Sequence, residues 1–581
     1  MDTLLVSPLA PSILLIAGAL LLLLLDTLGS SPLAALSWLR HERLLSILSL
    51  LTLIGLAYLV NRLPHGVERS VYTWRWTLPG GLSATLSWQV DDWGWLMGML
   101  ATLLAAAAAL LTWSRRGWRT AATQASILMI LACLWTIALA VNLLTLGLAW
   151  SGLAASLTAS RLLFTPSGSL LEGIEPPRFY TWRSIVKTWS SLQAWANRSG
   201  EQIATQIALA PLELLAIVIS ISIVWNAAQP SWQVTTLPTT SAILLTVAAL
   251  WRIGAYPLHF WITGSTEPEE GGRLTTHLLP AVAGLLLLGR LQSAGAVAWL
   301  SGPTPLTLLL LAAFGSAVAA WLSPQRDQAM AYVGASLGSW TVLAMGLTQG
   351  ASLAWPAIAF ALSLAGLTVA WALRREWGWR LPLVLALITV LGMPGTPGLP
   401  YLVIATQAAP DSTALIVWTM SMLTETLLVA AALRGWRRRE PSSPVGLDTA
   451  VVSVLAFVLL IIVPLTWGGQ TPLELLHLSK PEGAWAALLQ EAPPLLWLSL
   501  LLPPLFGGML VWRRPHIFAG TERWLPTMGA FTGLDWIQTG LLWSGRGLAA
   551  GFRGMAAIVE GEGYVGWLIL VALLGWILLR A

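Results

Sequence analysis

The sequence predicts an all-α, polytopic membrane protein with about 14–16 transmembrane helices. Three observations predict it. Of 581 residues, 56% are hydrophobic and only 10% charged, whereas a water-soluble domain carries about a quarter charged residues to wet its surface. Apolar runs of about 20 residues, the length that crosses a bilayer, recur along the whole chain. The basic side chains between those runs fall mostly in alternate connections, as they do in cytoplasmic loops. The scarcity of charge excludes an ordinary soluble enzyme, a disordered protein and a nucleic-acid binder. The net charge of +5 is spread over short loops and forms no basic patch.

The first run, 8–28, has no basic leader and no small-residue cleavage site, so it reads as a retained helix. Further runs cover 44–60, 93–113, 125–141, 143–160, 203–224, 241–261, 278–298, 304–322, 329–348, 352–373, 381–402, 413–433, 449–466, 494–512 and 563–579. Alternate connections hold 24 of the 31 basic residues, among them Arg115, Arg116, Arg273, Arg326, Arg374, Arg434 and Arg513. The opposite connections hold Arg62, Arg69, Arg75, Lys480 and Arg580. This bias predicts an inner, energy-coupling membrane with both termini on the non-cytoplasmic side.

Two connections carry structure of their own. Residues 67–92 contain two β-prone stretches around Pro79-Gly80-Gly81, the pattern of a hairpin. Residues 517–560 are apolar, Gly-rich and sparsely charged. They read either as an interfacial helix pair or as a lateral helix that docks a neighbouring subunit. Trp74, Trp76, Trp88, Trp93, Trp95, Trp377 and Trp379 fit the aromatic belt at the membrane–water boundary.

Cofactor chemistry has no foothold in this chain. The one cysteine, Cys133, lies in an apolar run, and the six histidines are scattered with no zinc-binding spacing. Phosphate loops and nucleophile elbows are absent, so no catalytic residue, cofactor or metal is expected.

The seventh run contains Arg252-Ile253-Gly254-Ala255-Tyr256-Pro257-Leu258-His259, and the twelfth contains Gly392-Met393-Pro394-Gly395-Thr396-Pro397-Gly398. Proline removes a ladder hydrogen bond and clashes with the preceding turn, so Pro257, Pro394 and Pro397 should break their helices. The two breaks lie five spans apart. An odd offset turns the second element over in the membrane, which is the geometry of an inverted repeat.

In this order and spacing, several stretches resemble the antiporter-like membrane subunits of respiratory complex I, the NADH–quinone oxidoreductase. Relatives of that family occur in Mrp-type antiporters and membrane-bound hydrogenases. Asp91-Asp92-Trp93-Gly94 opens the third span, Asn142-Leu143-Leu144 the fifth, and Asn197-Arg198-Ser199-Gly200-Glu201 the sixth. Tyr256-Pro257-Leu258-His259-Phe260-Trp261 resembles the family's broken seventh helix, Ala331-Tyr332 its tenth, and Gly392 to Gly398 its broken twelfth. The resemblance implies two inverted five-helix repeats with broken helices 7 and 12. It divides the chain into N-terminal helices and hairpin (1–113), first repeat (114–298), second repeat (299–440) and C-terminal helices with the segment 517–560 (441–581). It also implies other membrane subunits as partners, besides the lipid bilayer, and no nucleic acid.

Members of the family that pump place a Glu on the fifth span, Lys on the seventh and eighth, and Lys or Glu on the twelfth. Here Ser151 stands at the fifth-span position, Arg252 at the seventh, and Leu402 at or near the twelfth. The only lysines, Lys187 and Lys480, lie in predicted loops. The usual intramembrane amines are therefore missing, and the proton path reads as degenerate. The ionisable groups that remain as pathway candidates are Glu213, Arg252, His259 and Glu425. Glu213 and Arg252 can pair in place of the family's Glu–Lys couple, or each can be satisfied locally. The reading is a subunit with a structural or coupling role in a proton-translocating assembly. The alternative is a stand-alone or two-component transporter for protons, cations or inorganic carbon.

Overall fold

The computed structural model describes residues 7–29, 42–63, 71–77, 83–114, 120–164, 213–223, 237–259, 270–323, 326–347, 354–377, 412–437, 494–520 and 524–534, with a few single positions between them. The chain is an all-α membrane bundle with one small hairpin. Helices α1 (Ala10–Gly29) and α2 (Glu42–Arg62) precede strands β1 (Val71–Thr77) and β2 (Ser83–Gln89). Then come α3 (Asp92–Ser114), α4 (Ala121–Ala138) and α5 (Leu143–Phe164), followed by α6 (Glu213–Ile223) and α7 (Thr239–Ile253). Helix α8 starts at Glu270–Arg273, widens into a π turn over Leu274–Leu278 and continues as an α-helix over Leu279–Ser293. Helices α9 (Pro303–Leu322), α10 (Arg326–Leu347) and α11 (Ala354–Trp377) follow. The thirteenth predicted span is α12 (Ser412–Arg437), the fifteenth is α13 (Pro494–Ile517), and a short helix α14 (Leu525–Thr532) comes after it.

Among the described residues, nine helices are long and apolar enough to cross a membrane. The outward faces of α1 and α2 carry Ile13, Leu20, Leu24, Leu51, Ile54 and Tyr58, all exposed. In lipid such a face costs nothing, because hydrocarbon and side chain are alike. Inside the bundle, small residues let backbones approach closely. A β-carbon on Gly98 would meet the Trp135 ring at 2.6 Å, and one on Gly18 would meet Thr52 at the same distance.

The expected hairpin is present, with β1 and β2 antiparallel from Val71↔Gln89 to Thr77↔Ser83. It is stitched to the junction of α4 and α5. Gln89 donates its backbone N–H to Leu139 O at 2.9 Å, and Val141 donates to Ser87 O at 3.0 Å. Asn142 does two jobs here. Its Oδ1 accepts from Thr145 N at 2.8 Å, which caps α5, and its Nδ2 donates to Thr85 O at 2.7 Å, which holds β2.

The aromatic belt expected from sequence needs correction at three positions. Trp88 and Trp95 are buried, and Trp93 is half-buried with its Nε1 donating to Leu286 O at 3.2 Å. Helices α2 and α8 pack on α3, with Trp95 Nε1 donating to Val60 O of α2 at 3.4 Å, so these rings face protein. Trp74 on the outer strand is exposed.

Candidate functional site

Helix α7 breaks where the sequence places the break. Gly254 takes the left-handed conformation at φ 74°, and its N–H is shared between Leu250 O and Trp251 O, which closes the helix. Only glycine adopts that conformation without steric cost. The Tyr256–Pro257 peptide bond is cis. Tyr256 donates its backbone N–H to Ser339 Oγ of α10 at 3.1 Å, and Leu258 donates to Ala255 O at 2.7 Å. Gly338 makes the close approach of α10 possible, since a β-carbon there would meet Ile253 Cγ2 at 2.8 Å.

Arg252, in the last turn of α7, forms an ion pair with Glu213 at the start of the described part of α6. Both side chains are almost sealed from solvent, at 6% and 1% exposure. The guanidinium carbon lies 5.7 Å from the centre of the Trp150 ring, a cation–π distance. Trp150 is fully buried. The neighbouring Ser151 is exposed, and its hydroxyl donates to Gly147 O at 2.9 Å. The side chain of α5 that faces the pair is therefore Trp150 and not Ser151.

His259 sits beyond the break and is fully buried. Its ring stacks on Tyr256 with centroids 4.9 Å apart and tilts against Tyr332 of α10 at 5.3 Å. Backbone groups of Pro257 and Gly533 face the imidazole. The short helix α14 closes over this aromatic group. Tyr256 donates its hydroxyl to Thr532 O at 2.9 Å, and Gly533 packs against the Tyr332 hydroxyl. The described part of segment 517–560 thus docks on its own chain, while Phe531 and Trp536 remain exposed.

A cavity of about 40 Å³, enough for water, lies beside the break between Ile253, Ile262 and the π turn of α8. Its polar lining comes from Arg273, His277 and Thr368.

A second ion pair joins a buried Arg290 to a half-buried Asp91. Arg290, near the end of α8, holds both carboxylate oxygens of Asp91, with Nη2 2.8 Å from Oδ1, and donates to Ala138 O at 2.6 Å. The same Asp91 Oδ1 accepts from Gly94 N at 2.8 Å and so caps α3. Sequence reasoning placed Asp91 only at the opening of the third span and gave Arg290 no role. The signal was available: the third span starts, and the eighth ends, on the same face of the membrane.

Glu425 is buried in the middle of α12, well away from either pair in sequence. The remaining sequence-derived positions, Pro394, Pro397 and Leu402, lie outside the described residues.

The chain resembles chains of solved membrane complexes. One is the Mrp complex from Dietzia sp., with TM-score 0.62 and 16% identity over 98% of this chain and 63% of that one. A second is the membrane-bound sulfane sulfur reductase, an archaeal respiratory membrane complex, with TM-score 0.60 and 16% identity over 98% and 99% of the two chains. The fold is that of these membrane complexes. A third is respiratory complex I from Thermus thermophilus, with TM-score 0.52 and 16% identity over 79% of this chain and 97% of that one. The chain spans less than two thirds of the length of the Mrp chain it matches. No family model and no curated protein matches the sequence.

Proposed function

We propose that the chain is an antiporter-like membrane subunit of a complex I-like, proton-translocating oxidoreductase assembly. In this reading its first repeat (114–298) holds a fixed ion pair where an amine relay would otherwise stand. The Glu213–Arg252 pair beside the broken helix carries the proposal. A relay group has to take up a proton and release it again. Guanidinium stays protonated up to a pH of about 12 and does not release one. Covered by Trp150 and neutralised by Glu213, it acts as a static charge that fastens α6 to the end of α7.

Redox chemistry belongs to partner subunits in this reading, and the chain itself supplies no cofactor ligands. The basic connections face the cytoplasm, which puts the α9–α10 connection there and the Asp91–Arg290 pair on the opposite side. Residues 299–440 form the inverted second repeat.

Purification of the tagged chain from its native membrane in mild detergent tests the proposal. Other membrane subunits should co-purify in fixed ratio with it. A single monodisperse polypeptide that transports ions in liposomes would contradict the reading and favour a stand-alone transporter.

A further inference from the structure

We infer that Glu425 is a proton-exchanging carboxyl that works without a basic partner, a neutral acid inside the bilayer that hydrophobic carbodiimides modify. The inference rests on the chain being membrane-embedded, but not on which complex it serves.

Geometry carries it. Glu425 is 5% exposed, and its Oε2 has no hydrogen-bond partner among the described residues. Polar neighbours on the same helix are committed elsewhere. Ser421 donates to Val417 O, Thr424 to Met420 O and Thr426 to Met422 O, each at 2.7 Å. Trp418 donates to Ser499 Oγ of α13 at 2.8 Å. Helix α13 runs alongside in step, so close that a β-carbon on Gly507 would meet Thr426 O at 3.0 Å and Val429 Cγ1 at 2.8 Å.

Among the described helices packed against α12, namely α9, α10, α11 and α13, none offers a charge at this depth. Helix α9 has no ionisable residue over its length. Helix α10 carries Arg326 and Asp327 at its start, α11 carries Arg374, Arg375 and Glu376 at its end, and α13 carries Arg513, Arg514 and His516 at its end. On α12 itself the nearest base is Arg434, about 13 Å away along the axis at 1.5 Å per residue. Arg434 instead donates to Trp321 O at the end of α9.

Residues 381–411 and 440–476, which flank α12 in the chain, contain no Lys, Arg or His. Of the basic residues inside spans, Arg252 is paired with Glu213 and Arg290 with Asp91. An isolated carboxylate is strongly disfavoured in hydrocarbon, so the group carries its proton.

Such a group has a specific reactivity. The acid O–H adds across one C=N bond of a carbodiimide: the proton goes to one nitrogen, and the carboxyl oxygen bonds the central carbon. The acyl group then shifts from oxygen to the other nitrogen, breaking the acyl C–O bond and forming an acyl C–N bond. The product is a stable N-acylurea. No atom leaves and nothing is oxidised.

The test treats the assembled protein in its membrane with dicyclohexylcarbodiimide and maps labelled peptides by mass spectrometry. The peptide containing Glu425 should gain one whole reagent, less so as pH rises, and a hydrophilic carbodiimide should leave it unlabelled. Glu425→Gln should abolish that label. If Glu425→Gln does not assemble, infrared spectroscopy of the wild-type protein decides, with Glu425 isotopically edited. A carboxylic-acid C=O band from that residue supports the proposal. An unlabelled Glu425, or a carboxylate band in its place, overturns it. Failure of partner subunits to co-purify would defeat the reading of the complex and leave this result untouched.

Discussion

Asp91 and Arg290 are 199 positions apart in sequence and meet in a two-pronged ion pair that ties the start of α3 to the end of α8. The aspartate serves at once as counter-ion and as helix cap, because Oδ1 also receives the Gly94 N–H. Asn retains the cap but loses the charge, which separates the two roles. Asp91→Asn should lower stability by about 3–5 kcal/mol, the cost of stranding one partner of a buried pair. Asp91→Ala should lose about 1 kcal/mol more with the cap. Thermal unfolding of the purified protein in detergent, followed by tryptophan fluorescence, measures both.

Glu213 and Arg252 should behave as a unit. Glu213→Gln and Arg252→Met each leave one buried charge alone, at a cost of about 3–5 kcal/mol. The double variant removes both charges and should be less destabilised than the sum of the two by more than about 1 kcal/mol. Additive losses in a double-mutant cycle would show that the two side chains are satisfied independently.

Gly254 ends α7 at φ 74°. Gly254→Ala places a β-carbon in the left-handed region, which costs about 1–2 kcal/mol per residue. The expected result is a lower melting temperature with the ion pair retained. A gain in stability would mean that the helix does not stop at this residue.

The Tyr256 hydroxyl holds the end of α14 through Thr532 O. Tyr256→Phe removes one hydrogen bond, worth about 1 kcal/mol, without disturbing the stack on His259. Amide hydrogen exchange should rise selectively over 525–534. Unchanged protection there would show that packing alone keeps α14 in place.

Much of this was legible in the sequence for physical reasons. Span positions follow from hydrophobic length, and the hairpin follows from β-prone stretches around Pro79-Gly80-Gly81. The break in α7 follows from Gly254 and Pro257, both of which disfavour continuing the helix. The Glu213–Arg252 pair was foreseeable because two opposite charges in lipid have to seek each other. Other features were not legible. Trp88, Trp93 and Trp95 carry the composition of an interfacial belt, yet Trp88 and Trp95 are buried and Trp93 is half-buried against α8, and coverage is a tertiary property. Trp150 and Ser151 are adjacent in sequence, and only the rotation of α5 decides which one faces Arg252. The docking of α14 depends on shape at Gly533, where no hydrophobic pattern points.

The central claim is that the Glu213–Arg252 ion pair is static and passes no protons. Proton translocation per electron by the proposed complex, purified and reconstituted in sealed vesicles, tests it most directly when the wild type is compared with the Glu213→Gln/Arg252→Met double variant. With assembly intact, the account predicts an unchanged ratio. A fall in the ratio in fully assembled complex would contradict it.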